Sequence, residues 1–286
     1  MRMEQITDSI SFHGEGPVWW EQTKEIRFLD MLSGDVLAVD KSGNHRRLPV
    51  GAEVVACIRP RKNGGAIVAR TRDVALCENE DLSDLKTITG DFIDASKRFN
   101  EGGCDPHGRF YIGNMSWQKK IGASQMYRIS PGADSPEPVL DGLTTSNGIA
   151  FSPDGTLAYY NDTETMVTSV FDYTFEGGLQ NRRDFVRYRD GEGRPDGLCV
   201  DAEGGVWIAM NRAGHIRRYD PEGRLSERID LPVTMATAVG FGGNDLSILF
   251  VTTSRNDVAN GDEPAAGALF AKKIGVKGLE PLPFDG

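Results

Sequence analysis

The chain has 286 residues, 39% of them hydrophobic, and its 32 basic against 42 acidic side chains give a formal net charge of −10. That balance leaves no basic excess to displace counterions from nucleic acid, and no apolar run approaches a membrane span, which excludes both as partners. Residues 1 to 13 lack the apolar core of a secretory signal, and the cysteines Cys57, Cys77, Cys104 and Cys199 form no C-x-x-C pair, so the sequence reads as a reduced, cytoplasmic chain.

Taken in order, the chain repeats one plan. Gly14-Glu15-Gly16-Pro17-Val18-Trp19-Trp20 leads through a turn at Glu25 into Ile26-Arg27-Phe28-Leu29 and then Asp35-Val36-Leu37-Ala38-Val39. Gly65 precedes Ala66-Ile67-Val68-Ala69, and Asn100-Glu101-Gly102-Gly103-Cys104-Asp105-Pro106-His107-Gly108 precedes Phe110-Tyr111-Ile112 and Gln125-Met126-Tyr127-Arg128-Ile129. A polar, Pro-containing turn follows over residues 130 to 138. The fourth unit is Ser146-Asn147-Gly148-Ile149-Ala150-Phe151-Ser152-Pro153-Asp154-Gly155 with Leu157-Ala158-Tyr159-Tyr160. The fifth is Pro195-Asp196-Gly197-Leu198-Cys199-Val200-Asp201-Ala202-Glu203-Gly204 with Val206-Trp207-Ile208-Ala209 and Ile216-Arg217-Arg218-Tyr219. Ser247 opens the sixth, Ile248-Leu249-Phe250-Val251. The turns at Glu25, Gly65, Gly108, Gly155, Gly204 and Ser247 lie 40 to 49 residues apart, and no amphipathic helix of three turns interrupts them. Units of this length built from about four short strands predict an all-β, six-bladed β-propeller, one domain over residues 1–286.

Equivalent positions of a repeat face one place. Asn100, Asn147 and Asp196 each stand eight residues before the turn glycine, and Glu15 stands ten before Glu25. The corresponding positions of the other two units fall near Val55 and Ala238, so the ring is polar on one side only. A single Asp-Gly or Asn-Gly is first of all a turn dipeptide; four oxygen-bearing residues at one offset predict a metal site at one end of the central channel. The all-oxygen set of two carboxylates and two amides favours Ca²⁺, with Mg²⁺, Mn²⁺ and Zn²⁺ as alternatives. No G-x-S-x-G, H-E-x-x-H, P-loop or dinucleotide motif is present. Of four histidines, His107 lies in a turn and His13 is close to Glu15 in sequence.

The segments Gly14-Glu15-Gly16-Pro17-Val18-Trp19, Arg98-Phe99-Asn100-Glu101-Gly102, Ser146-Asn147-Gly148 through Gly155 and Arg194-Pro195-Asp196-Gly197-Leu198-Cys199-Val200-Asp201 resemble the signature segments of the gluconolactonase/regucalcin (senescence marker protein) family. Phe241-Gly242-Gly243 followed by Leu249-Phe250-Val251-Thr252-Thr253 resembles its last blade. The resemblance covers nearly the whole chain. It implies a six-bladed propeller that hydrolyses sugar lactones with one divalent ion held by Glu15, Asn147 and Asp196, with Asn100 close by. Arg98 and Asn100, with the adjoining Glu101, would contact substrate. Two departures touch the substrate region. Trp207-Ile208-Ala209-Met210-Asn211-Arg212 replaces a Trp-Gly-Gly-type stretch, and the loop Ser116-Trp117-Gln118-Lys119-Lys120-Ile121-Gly122 carries lysines where animal members present an acid. Trp117 would cover a sugar face, and Lys120 or Lys119 would favour an acidic lactone.

The activity expected from this reading is metal-dependent hydrolysis of a small polyhydroxylated lactone. Asp196 serves as the base, accepting a proton from an adjacent water through a free carboxylate oxygen. A phosphotriesterase or aryl-esterase on the same scaffold and a non-catalytic calcium-binding propeller are the alternatives.

Overall fold

A computed structural model describes residues 3–133, 135–259 and 261–286. Among these residues, six antiparallel sheets of four strands follow one another along the chain. Blade 1 comprises Gly14–Trp20, Glu25–Asp30, Asp35–Val39 and His45–Pro49. Blade 2 comprises Val55–Pro60, Ala66–Arg70, Val74–Cys77 and Lys86–Thr87. Blade 3 comprises Lys97–Cys104, Phe110–Ser116, Ser124–Ile129 and Glu137–Leu143. Blade 4 comprises Ser146–Phe151, Leu157–Asp162, Val167–Thr174 and Gly178–Arg187, and blade 5 Arg194–Val200, Val206–Asn211, His215–Tyr219 and Leu225–Asp230. Blade 6 takes Ala236–Gly242, Ile248–Thr253 and Phe270–Lys273 from the end of the chain and its outermost strand, Glu4–Gln5, from the beginning.

This is the six-bladed propeller that the repeat predicts. Each second strand starts within two residues of its expected turn. Helix among the described residues is confined to the 3₁₀ turns Met31–Ser33 and Thr163–Thr165. The polar turn expected over residues 130 to 138 ends where the strand Glu137–Leu143 begins, and Asp134 within it lies outside the described residues, as do Met1, Arg2 and Asn260.

The ring closes through the pairs Glu4↔Ala271 and Gln5↔Phe270 and a bridge between His13 and Ser254. The core lies between neighbouring sheets. Trp20, Leu29 and Val36 of blade 1 pack with Val55, Ile58 and Val68 of blade 2, and equivalent apolar layers fill the other gaps. Alternation along each strand sends one face into each gap, which is why both faces of the inner strands read as apolar.

The innermost strands share one irregularity that positions the site. In every blade the pairing of the first strand with the second slips by one residue near its start: between Glu15 and Val18, Val55 and Cys57, Phe99 and Gly102, Ser146 and Ile149, Pro195 and Leu198, and Ala236 and Ala238. An extra residue of this kind leaves the ladder and re-aims its side chain. Asn100, Asn147 and Asp196 sit within these bulges, and Glu15 is the last paired residue before its own. The glycine after the polar residue has a separate cause. A Cβ on Gly148 would lie 2.6 Å from Leu198 N, and one on Gly197 would lie 2.4 Å from Ala238 Cβ. Neither glycine is left-handed, so crowding of inner strands around the axis, rather than a turn, requires it.

Beneath the ring, the segment 274–286 crosses the channel. The Ala202 N–H donates to Lys277 O at 2.8 Å, the Phe284 N–H to Pro60 O at 2.9 Å and the Asp285 N–H to Gly108 O at 2.9 Å. The segment therefore ties blade 5 to blades 2 and 3 across that end.

Candidate metal and substrate site

Glu15, Asn100, Asn147 and Asp196 converge from blades 1, 3, 4 and 5 on one cavity of about 120 Å³ at the opposite end of the channel, and all four side chains are buried. His13, Arg98, Lys119, Thr163, Arg194, Asn211, Arg212 and Asp257 complete much of its wall.

Asp196 is held from two sides. Asn147 Nδ2 donates to its Oδ1, and Asn211 Nδ2 donates to its Oδ2 at 2.8 Å. Asn161 Nδ2 also donates to the Asp196 main-chain oxygen, at 2.5 Å. Asn147 Nδ2 has a second acceptor, Thr163 Oγ1, at 2.9 Å. That leaves Asn147 Oδ1 buried with no hydrogen-bond partner. A buried amide oxygen without a donor is costly, and its neighbourhood explains it best if a cation is the missing partner.

Two buried carboxylates, Glu15 and Asp196, face this cavity, and a third, Glu101, lies beyond it along the axis. Burial pushes the Asp196 carboxyl up to about 7, against the pull of its amide donors. Burial, then the charges of Asp196 and Glu101, hold Glu15 well above the usual carboxylate range. Burial and Asp196 push Glu101 up to about 8. Carboxylates placed so that they resist ionising together are the electrostatic counterpart of the orphaned amide, because a divalent ion between them would remove the penalty. Among the described residues no three His, Cys, Asp or Glu side chains form a metal-binding group, so a site here depends on amide oxygen beside Glu15 and Asp196. The donor set fits a hard cation.

Asn100 plays a different part from Asn147. Its Oδ1 accepts from Arg98 Nη1 at 2.8 Å, and its Nδ2 donates to Ser146 O at 2.8 Å. Asn100 thus fixes the Arg98 guanidinium at the cavity wall. One lone pair of its Oδ1 stays open. Arg98 Nη1 also donates to Phe99 O at 2.9 Å, and burial lowers Arg98 to about 10, which keeps it charged at neutral pH.

Three expectations need correction. Glu101 does not line this cavity. The bulge between Phe99 and Gly102 turns it to the opposite side of the ring, into a second cavity of about 130 Å³ with Arg59, Cys104 and Cys199, and with residues 279 to 282 in its wall. Trp117 stands outside as well. It is 44% exposed, lines a groove with Arg70 and Asp91, and stacks behind Arg98, whose Cζ is 5.5 Å from the ring centre. It backs the arginine from outside the cavity. Lys120 is exposed and away from the cavity, its N–H donating to Ser116 Oγ at 2.7 Å, whereas Lys119 lines the wall. The cause is local. The Lys119 N–H donates to Ser116 O at 2.9 Å, and Lys119 takes a left-handed φ of 51°, so the turn projects this lysine toward the cavity and the next one away.

Sequence reasoning missed Asn211 and Thr163, which orient Asp196 and Asn147, and the pairs Arg194–Glu164 (2.6 Å) and Arg212–Asp257 (2.7 Å) at the rim. His13 reaches the site, with Nε2 3.9 Å from Glu15 Oε1 and Nδ1 2.7 Å from Ser254 Oγ. Burial and Arg98 lower its pKa to about 4, so it stands neutral there.

Residues 13–255 match the model of the SMP-30/Gluconolactonase/LRE-like region. The chain belongs to this family. Regucalcin of Danio rerio is 31% identical over 294 residues, covering 100% of this chain and 99% of the relative. A 6-deoxy-6-sulfogluconolactonase of Pseudomonas putida is 33% identical over 278 residues, covering 94% of each. A solved calcium-binding protein, regucalcin, from Agrobacterium tumefaciens superposes with a TM-score of 0.91 at 23% identity, covering 100% of this chain and 98% of its own. A gluconolactonase from Xanthomonas campestris does so with a TM-score of 0.77 at 20% identity, covering 98% of this chain and 89% of its own. The last two show the fold; the family and the curated relatives connect this chain to lactone hydrolysis. No helix among the described residues is long and apolar enough to cross a membrane.

Proposed function

We propose that this protein hydrolyses a small sugar lactone with one divalent metal ion, Ca²⁺ by preference, held by Glu15, Asn147 and Asp196. The observation that carries the reading is Asn147 Oδ1, buried and unpartnered beside the buried Asp196 carboxylate of the next blade and in one cavity with that of Glu15. A bound ion supplies Lewis-acid polarisation of the acyl oxygen and acidifies water.

The chain's own residues do the rest. Asp196 accepts the proton of the attacking water: each of its oxygens receives one amide hydrogen bond and keeps a lone pair, so the carboxylate is oriented without being saturated. Asn211 and Asn147 prevent it from rotating. Arg98, locked by Asn100 and backed by Trp117, directs its remaining N–H groups at substrate hydroxyls or the ring oxygen. Lactones are activated esters, so no covalent nucleophile is needed. The free cysteines fit a reducing compartment, the cytoplasm.

The test is a lactone panel assayed on chelated and metal-reconstituted protein. Turnover that vanishes on chelation and returns with the ion is the expected result. Calcium binding by calorimetry without turnover of any lactone would replace this reading by a calcium-binding propeller, and faster turnover of a phosphotriester by an esterase of that class.

A further inference from the structure

Four acids (Glu15, Glu164, Asp196, Asp257) and four cations (Arg98, Lys119, Arg194, Arg212) line the cavity and balance, so a divalent ion matched by Glu15 and Asp196 would leave a positive surplus. Arg194 is paired with Glu164 at 2.6 Å and Arg212 with Asp257 at 2.7 Å, so each rim arginine has its own acid. Arg98 and Lys119 have none. Among the described residues no carboxylate lies within ion-pair distance of either, and the hydrogen bonds of Arg98 run through Nη1, leaving Nη2 and Nε without a protein acceptor. Glu15 and Asp196 face the same space, but on the reading above they are matched by a divalent ion, and this inference rests on that reading. The balance that remains is two cations looking into one small cavity.

The two cations are placed differently in the fold. Arg98 is buried and fixed by Asn100, an arrangement that costs desolvation and is retained only with a use for the charge. Lys119 is exposed and reaches the wall from the turn after the second strand of blade 3. The other departure from the family pattern, Asn211-Arg212, opens onto the same wall.

We infer that the substrate is a lactone bearing an anionic group, a carboxylate or a sulfonate, on the carbon beside its ring oxygen, and that Lys119 recognises that group together with Arg98, which reaches the ring oxygen next to it. A guanidinium fork and an ammonium serve either anion, planar or tetrahedral, through charge-assisted hydrogen bonds.

The experiment compares three six-carbon 1,5-lactones that differ only in the terminal carbon: a neutral hydroxymethyl group, a carboxylate or a sulfonate. Calcium-saturated wild type, Lys119→Gln and Lys119→Arg are assayed for kcat/KM. Wild type favours an anionic lactone, and the faster of the two anions identifies the group. Lys119→Gln lowers the anionic-to-neutral ratio roughly tenfold, the order expected for losing one charge-assisted hydrogen bond in a partly solvated site, and Lys119→Arg restores most of it. A ratio unmoved by Lys119→Gln, or a wild-type preference for the neutral lactone, overturns the inference and leaves lactone hydrolysis standing. A second readout separates the two readings: calorimetric binding of the open-chain hexaldarate dianion against the hexonate monoanion. Tighter dianion binding that Lys119→Gln abolishes, without turnover of any lactone, keeps the anion site and removes the hydrolase.

Discussion

The two ends of the channel are built from the same six strands, and each holds buried carboxyl groups, yet they differ in almost everything else. One end gathers Glu15, Asn147 and Asp196 with amide donors, an orphaned amide oxygen and a rim of cations. The other holds Glu101, with a buried carboxylate oxygen that has no hydrogen-bond partner, near Arg59 among cysteines and aliphatic side chains, with residues 279 to 282 in its wall. One bulge in each inner strand divides them. In blade 3 it sends Asn100 up and Glu101 down, so two adjacent polar residues serve different compartments. The same ring is also divided laterally: in blades 2 and 6 the expected positions hold the buried Val55 and Ala238, and neither lines the cavity.

The largest effect on this contrast is expected from Asp196→Ala. It removes one of two charges facing the ion and the proposed base together. Activity should fall to background and calorimetric calcium affinity should weaken strongly. Wild-type turnover after extensive dialysis against chelator would show that the two carboxylates do not define the working end.

Arg98→Ala comes next. It should lower kcat/KM by about 1.5–3 kcal/mol, the range for hydrogen bonds to charged groups, with little change in calcium affinity. The opposite pattern, weaker calcium binding with unaltered kinetics at saturating ion, would move Arg98 from substrate to the support of the ion.

Asn211→Ala tests the shell behind Asp196. Its amide reaches one carboxylate oxygen at 2.8 Å, and removal of such an orienting partner typically costs about 10–100-fold in metal affinity. Saturating calcium should recover much of the activity in this variant and none in Asp196→Ala. Equal behaviour of the two variants would mean that Asn211 does more than orient.

The fold was legible because the repeat is written in turn residues and apolar strands, and Asn147, Asp196 and Asn100 were legible as candidates because they recur at one offset, whereas Glu15 stands ten residues before its turn and just outside its bulge. What the sequence concealed follows from single backbone angles and from neighbours distant in the chain. Lys119 and Lys120 look equivalent, and both are exposed, but only Lys119, with a left-handed φ, reaches the edge of the cavity. Glu101 looks like part of the Arg-Phe-Asn segment until the register slip turns it away. Asn211 ends the second strand of blade 5, and Thr163 lies in a 3₁₀ turn of blade 4, where no repeat signal marks them. The glycines after Asn147 and Asp196 were readable as turn formers but are required by contacts between blades, which only the closed ring creates.

The smallest effect on the end that holds Asp196 is expected from a change at the opposite one. Phe284 is 2% exposed and packs with Cys57, Phe110 and Ile129, and its N–H donates to Pro60 O. Phe284→Ala should cost about 3–5 kcal/mol of stability, as buried Phe truncations do, and lower the unfolding midpoint in urea. The same apolar cluster contains Phe99, which stands between Arg98 and Asn100, so relaxation has one route to the cavity. Phe99 is itself fully buried in that cluster, and Asn100 is anchored independently on Ser146 O. The strand should hold its place, and kcat/KM at saturating calcium should move by less than about twofold, the coupling expected of sites without shared partners. A loss of kcat/KM in proportion to the loss of stability would show that the far end tunes the site through Phe99, and the two ends would then have to be treated as one functional unit.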